Sequence, residues 1–257
     1  VDSAPASPMQ SDESFGRIPN GTGNFILIQT PTPNALNENG TPITTLSSPI
    51  FSHNSGFYTA AFDLTITSNN QDATIIYTLD GSEPDENNLL GTTYTYKNQY
   101  PRLPGQAFGP LLNNSYQTAE YSTPITIVDR STEPNKVSAI STTYDFAPTY
   151  FPNGPIFKGT VVRAKAVKAG AISSSIVTRN YFITPSGSSE FSLPIVSIST
   201  NEDRFFEYNN GIHVAGKDFD DWRTANPTEV PDYEIGNFAR KGSPAERVAN
   251  LSYFVNG

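Results

Sequence analysis

The sequence has no cysteine, which excludes disulfide staples, a catalytic thiol and thiolate metal sites. Histidine is almost as scarce: His53 and His213 alone leave little material for a His-based triad or a His-rich metal centre. Charged residues make up 16% of the chain and the formal net charge is -9, so a polyanion would meet repulsion in place of the basic patch that phosphate binding needs. Nucleic acid is therefore not an expected partner. No apolar run approaches the roughly 18 residues of a membrane span, and the longest, such as Phe25 to Ile28, are strand-sized. The chain opens at Val1 on a stretch rich in Ser, Pro and Ala, without the basic and apolar regions of a signal peptide. That reads as an exported protein whose signal has already been removed. An exported chain that lacks disulfides relies on its core and sheet hydrogen bonds, which suits a bacterial outer surface.

What is abundant points to β structure. Among 257 residues there are 13 Tyr, 16 Phe, 21 Pro and 18 Gly, a mixture of residues that fit pleated sheets and residues that fit the turns between them. The length favours two compact units, or one with partial neighbours. Phe62, Leu64 and Ile66 alternate with Asp63, Thr65 and Thr67, as a strand with one wet face should. Further strands are predicted at 72–79 before an Asp80-Gly81 turn, and at 124–128, 160–167, 176–183, 193–198 and 249–255. No segment keeps a helical apolar stripe for three turns, so helices should be few and short. The expected fold class is all-β: an immunoglobulin-like antiparallel β-sandwich carrying two long insertions, about 83–122 and 129–155, flanked by partial β units. Residues 30–45, with alternating Pro, and 185–190, PSGSSE, read as linkers. Asn256-Gly257 reads as a turn between strands, so the last unit is expected to be incomplete.

Several residue groups invite chemistry. Asp80, Glu83 and Asp85, with Glu86, form an acidic run that reads either as a Ca²⁺ site or as a solvated turn. His213 precedes Asp218, Asp220 and Asp221, so a His/carboxylate pair is conceivable, although GIHV (211–214) also reads as a strand with His213 on its polar face. Ser55 and Ser82 sit in no nucleophile elbow, and no phosphate-binding glycine loop occurs. Tyr94, Tyr96, Tyr100, Phe108, Tyr116 and Tyr121 in the insertions offer flat faces for surface glycans, or else pack the insertions onto the sandwich. Trp222 is either an anchor for a partner or a core plug.

Three stretches resemble known families. DESFGRIPNG (12–21) with PTPNALN (31–37) resembles the end of a bacterial lamin-tail-type domain, with Asn20 and Asn34 where Asp and Gly are more usual. PIFSHNSGFY (49–58), ATIIYTLDGSEP (73–84), YSTPI (121–125) and VRAKA (162–166) resemble the chitobiase/β-hexosaminidase C-terminal domain, an immunoglobulin-like accessory module. LPIVSIST (193–200), GIHVAG (211–216) and ERVANLSYF (246–254) resemble the beginning of a CotH domain, a spore-coat-type atypical kinase fold. That family more often has Tyr at the position of His213 and Pro at that of Val248. The resemblances imply units at 1–37, 49–184 and 191–257 joined by linkers at 38–48 and 185–190. They imply a non-catalytic accessory region that spaces or presents a CotH-like domain, with no catalytic residue carried onto a position here. A carbohydrate-binding or adhesin module, contacting glycans or other surface proteins, and the front part of a CotH-type kinase are the alternatives. No cofactor is expected beyond a possible calcium ion.

Overall fold

The computed structural model describes residues 13–37, 43–232 and 235–255. The polar opening of the chain, residues 38–42 of the expected linker and the Asn256-Gly257 turn lie outside the described residues. Strand accounts for 29% and helix for 14%, as expected for an all-β chain with short helices.

A hairpin comes first: β1 (Ser14–Ile18) pairs antiparallel with β2 (Asn24–Ile28), Ser14 opposite Ile28 and Ile18 opposite Asn24. Its Leu27 and Ile28 are buried, and the Leu27 carbonyl accepts from Ile43 N at 2.9 Å. Then come β3 (Ile50–Phe51), β4 (Gly56–Tyr58), β5 (Phe62–Leu64), β6 (Ile66–Thr67) and β7 (Thr74–Thr78). The first insertion holds β8 (Thr92–Tyr96) and β9 (Leu112–Tyr116), followed by β10 (Ala119–Glu120), β11 (Ile125–Ile127), β12 (Thr160–Val167) and β13 (Val177–Ile183).

One layer of the sandwich is a five-stranded sheet in the order β10-β7-β12-β13-β4. Opposite it lie the pairs β3-β6 and β5-β11, joined because only Thr65 separates β5 from β6. The period-2 pattern decides which side chains meet between the layers. Leu64, Ile66 and Ile127 from one layer close on Ile75, Val162, Ala164, Tyr181 and Ile183 from the other, while Asp63 and Thr65 face water. Burying each large aliphatic of this set stabilises the fold by about 1.5–3 kcal/mol. One pairing departs from the antiparallel expectation. β4 runs parallel to β13, Tyr181 opposite Gly56 and Ile183 opposite Tyr58. No tight turn links these two strands, so nothing local fixes their relative direction.

After Asp80-Gly81 the chain leaves the sheet instead of returning in a hairpin. Gly81 adopts a left-handed φ of 87°, and the first insertion begins there. β8 and β9 pair with each other, Thr92 opposite Tyr116 and Tyr96 opposite Leu112. The second insertion has one 3-10 turn, Val137–Ala139. Both insertions are covered by the last part of the chain, which comprises β14 (Ile195–Ser199), α1 (Glu202–Phe206), α2 (Gly216–Ala225) and β15 (Asn250–Phe254), with β14 antiparallel to β15.

Two features of this part correct the sequence reading. Residues 211–214 form a turn and not a strand, since Gly211 N and His213 N bond back to the Glu207 and Phe205 carbonyls. Residues 187–190, expected to be a flexible spacer, form a 3-10 turn anchored by Thr184 Oγ1 on the Gly187 carbonyl and by Thr184 N on the Tyr58 carbonyl. The short link sets the C-terminal strands directly across β13. Asn180, fully buried, accepts from Ser197 Oγ at 2.6 Å and donates to Ser252 Oγ at 3.0 Å. Phe254 meets Phe182 and Phe57 edge-on at 5.3 and 5.9 Å.

Candidate functional site

The insertion tyrosines have a structural task that sequence could only offer as an alternative. Tyr94, on β8, and Tyr116, on β9, are 4% and 7% exposed and pack with Ile140 and Val214 into one core, flanked by Tyr96 and Phe206. Tyr100 has no exposed surface. It forms a second core with Ala215 and Phe219, and its hydroxyl accepts from Gly216 N at 3.0 Å. Tyr144 of the second insertion stacks on Phe219 at 4.8 Å. These rings have no free face for a sugar, which corrects the reading of Tyr94, Tyr100 and Tyr116 as a glycan platform; half-buried Tyr96 packs beside Tyr94. Of the six rings that the sequence offered for glycans only Phe108 is exposed. Tyr121 joins the sandwich core and accepts from Ile66 N. Trp222 is half-buried, 5.9 Å from Phe219, and belongs to the second core. Burial raises the phenol pKa of Tyr94 and Tyr100 well above the ordinary 10, and that of Tyr116 to about 12.

Charged groups tie the same seam, and sequence reasoning missed them. Lys97 Nζ lies 2.5 Å from Asp220 Oδ2, with both side chains at most 10% exposed. Tyr208 donates to the same carboxylate oxygen at 2.7 Å. Arg223, 4% exposed, has no carboxylate partner among the described residues and donates instead to the carbonyls of Pro101, Arg102, Asn226 and Glu229 at 2.6–2.9 Å. Glu202 accepts from Lys136 at 2.7 Å and from Tyr94 at 3.0 Å, and its burial raises its pKa against the pull of those two donors. The Lys97–Asp220, Lys136–Glu202 and Tyr94–Glu202 contacts, and the bonds from Arg223 to Pro101 and Arg102, join an insertion to the C-terminal part.

The acidic run is dispersed into the same scaffolding. Asp80 accepts from Ser82 N and Oγ, and Asp85 caps the turn 86–88 by accepting from Asn87 N. Glu83 pairs with Arg204 at 2.8 Å and approaches Arg163 at 4.0 Å. Asp80, Glu83 and Asp85 therefore do not converge as a calcium site, and among the described residues no three His, Asp or Glu side chains come together to hold a metal. His213 is exposed, edged by Phe205 and Phe206, and pairs with none of Asp218, Asp220 and Asp221. Asp218 pairs with Arg240, Asp220 with Lys97 and Asp221 with Lys217.

Where the sandwich, the second insertion and the C-terminal part meet, a cleft of about 650 Å³ opens. Leu79, just past β7, and Val161, on β12, come from the sandwich, and Ile156 and Phe157 from the approach to β12. Val137 comes from the second insertion, and Phe206 from α1. The acidic and basic side chains at its margin are Asp80, Arg130, Glu133, Lys136, Lys158 and Glu202, and His213 and three hydroxyl residues also line it. A neighbouring cavity of about 420 Å³ shares Leu79, Asp80, Arg130 and Lys136.

No curated protein and no solved structure matches the chain. Residues 64–181 match the family described as Fn3 associated, a fibronectin type III associated domain. The matched region runs from β5 to β13 and takes in both insertions, slightly under half of the chain. The match supports a non-catalytic accessory domain of the β-sandwich kind.

Proposed function

We propose that this region is a non-catalytic extracellular accessory module of a bacterial surface protein, which holds and presents a CotH-like domain whose beginning the last 67 residues resemble. The observation that carries this reading is the shared interior of the insertions and the C-terminal part. Tyr94, Tyr116 and Ile140 pack on Val214, Tyr100 packs on Phe219, and the Lys97–Asp220 pair is buried between them. A flexible stalk would leave these insertions solvated. Rings and charges sequestered in this way order both partners and fix their mutual orientation, which is what presentation requires. The Fn3 associated match over the sandwich supports an accessory role.

The test is to place a protease recognition sequence across Ser188 and Ser189, which are exposed, and to cleave the folded protein there. The reading predicts that the two pieces elute together in gel filtration and separate only in denaturant. Separation in native buffer would refute it.

A further inference from the structure

The cleft between the three parts has the size and lining of a small-molecule site. At about 650 Å³ it lies within the roughly 300–1,000 Å³ of such sites, and junctions between units are where they concentrate. Its walls are mainly apolar: Leu79, Val137, Ile156, Phe157, Val161 and Phe206. Phe157 is 39% exposed, a large ring left partly wet beside this hollow.

Charge then narrows the ligand. Three cations and three carboxylates line the margin, and four of these groups are neutralised in pairs: Arg130 with Glu133 at 2.8 Å, and Lys136 with Glu202 at 2.7 Å. Lys158 donates to the Ser131 and Ile156 carbonyls, both at 3.2 Å, and Asp80 accepts from Ser82. Asp129, which senses the Lys158 charge, is engaged by Ser131. Counted together the margin carries as many cations as carboxylates, so a charged ligand entering it meets a like charge as well as a counter-charge and gives up its hydration for little net attraction. A hydroxyl both donates and accepts, so it can meet either an ammonium or a carboxylate of that margin.

We infer that the cleft binds an uncharged amphiphile: an alkyl or aromatic body against the apolar walls, with a hydroxylated head at the charged margin. Nothing in this inference depends on the presentation role.

The experiment titrates the full chain with n-hexanol, n-octanol and n-decanol, and with octanoate and octylammonium, following methyl NMR signals. The inference predicts saturable one-to-one shifts at Leu79, Val137 and Val161. Affinity should rise about fourfold per added methylene, and octanol should bind at least several-fold tighter than either charged analogue. Ile156→Asp should weaken octanol binding at least tenfold. Leu251→Asp, on the exposed outer face of β15, should leave it unchanged, and both variants should keep the parent's spectral dispersion. Should Ile156→Asp lose that dispersion, Phe157→Ala, at a partly exposed ring, should weaken octanol binding several-fold. Three outcomes would overturn the assignment: shifts that never saturate, shifts centred on Val196 and Leu251 and abolished by Leu251→Asp, or octanoate or octylammonium binding as tightly as octanol.

Discussion

Replacing Lys97 by Met should be among the most damaging single changes outside the sandwich core. In the folded protein the Lys97 ammonium sits 2.5 Å from Asp220 with both side chains almost fully enclosed, and Tyr208 Oη, at 2.7 Å, is the carboxylate's other donor. Asp220 Oδ1 has no hydrogen-bond partner among the described residues. Removing the ammonium leaves a carboxylate buried with one phenolic donor, and breaking a buried pair from one side costs about 3–5 kcal/mol. The ammonium also lies 5.2 Å from the Tyr100 ring and 5.6 Å from that of Tyr208, contacts worth about 0.5–1 kcal/mol. For a chain of this size the loss corresponds to a fall in Tm of about 10 °C. Urea titration followed by fluorescence suits the question, because Trp222 is the chain's only tryptophan and packs beside Phe219 in the affected core. Lys97→Met combined with Asp220→Leu should recover most of the loss, since an apolar pair leaves no stranded charge. If Lys97→Met stays within about 0.5 kcal/mol of the parent, the first insertion is not docked on α2 and the reasoning fails.

Three further outcomes follow from the same seam. Gly216→Ala should cost at least about 2 kcal/mol in a denaturation experiment, because φ is +60° and the new Cβ would fall 2.2 Å from Asn237 Nδ2 and 2.6 Å from the Tyr208 carbonyl. Arg223→Lys should cost about 1–3 kcal/mol, since an ammonium cannot reach the four carbonyls that the planar guanidinium spans; a neutral result would deny the clamp. Burial raises the phenol pKa of Tyr94, Tyr100, Tyr116, Tyr181 and Tyr208 above 10, so the stability they contribute is fully present below pH 10 and is lost as pH climbs beyond it. Ultraviolet titration should therefore show these five ionising together with unfolding, and a single wave of all 13 tyrosines near pH 10 with the fold intact would contradict it.

The sandwich was legible because its strands write their burial in period two. The strand expected at 160–167 is β12 to the residue, and Phe62, Leu64 and Ile66 face inward as their alternation requires. The seam was not legible, for a physical reason. α2 buries Asp220 and Arg223 together with Phe219, so its inward face is part polar and gives no apolar stripe. β8 reads TTYTY, with Tyr94 turned inward and Thr93 outward, and the residues that cover it, such as Glu202 and Val214, lie more than a hundred positions further on. Local pattern cannot announce a partner at that distance. The acidic run misled for the opposite reason: Asp80, Glu83 and Asp85 are adjacent in sequence but are spent on Ser82, Arg204 and a turn cap.

The central claim is that the C-terminal part is held rigidly on the sandwich, and the absence of cysteine makes it directly measurable. Thr126→Cys on β11 and Lys217→Cys on α2, both exposed, take a pair of spin labels without competing thiols. Electron–electron resonance should return one narrow distance distribution in the parent background and a broadened one when Lys97→Met is added. A broad or multimodal distribution in the parent would contradict the account.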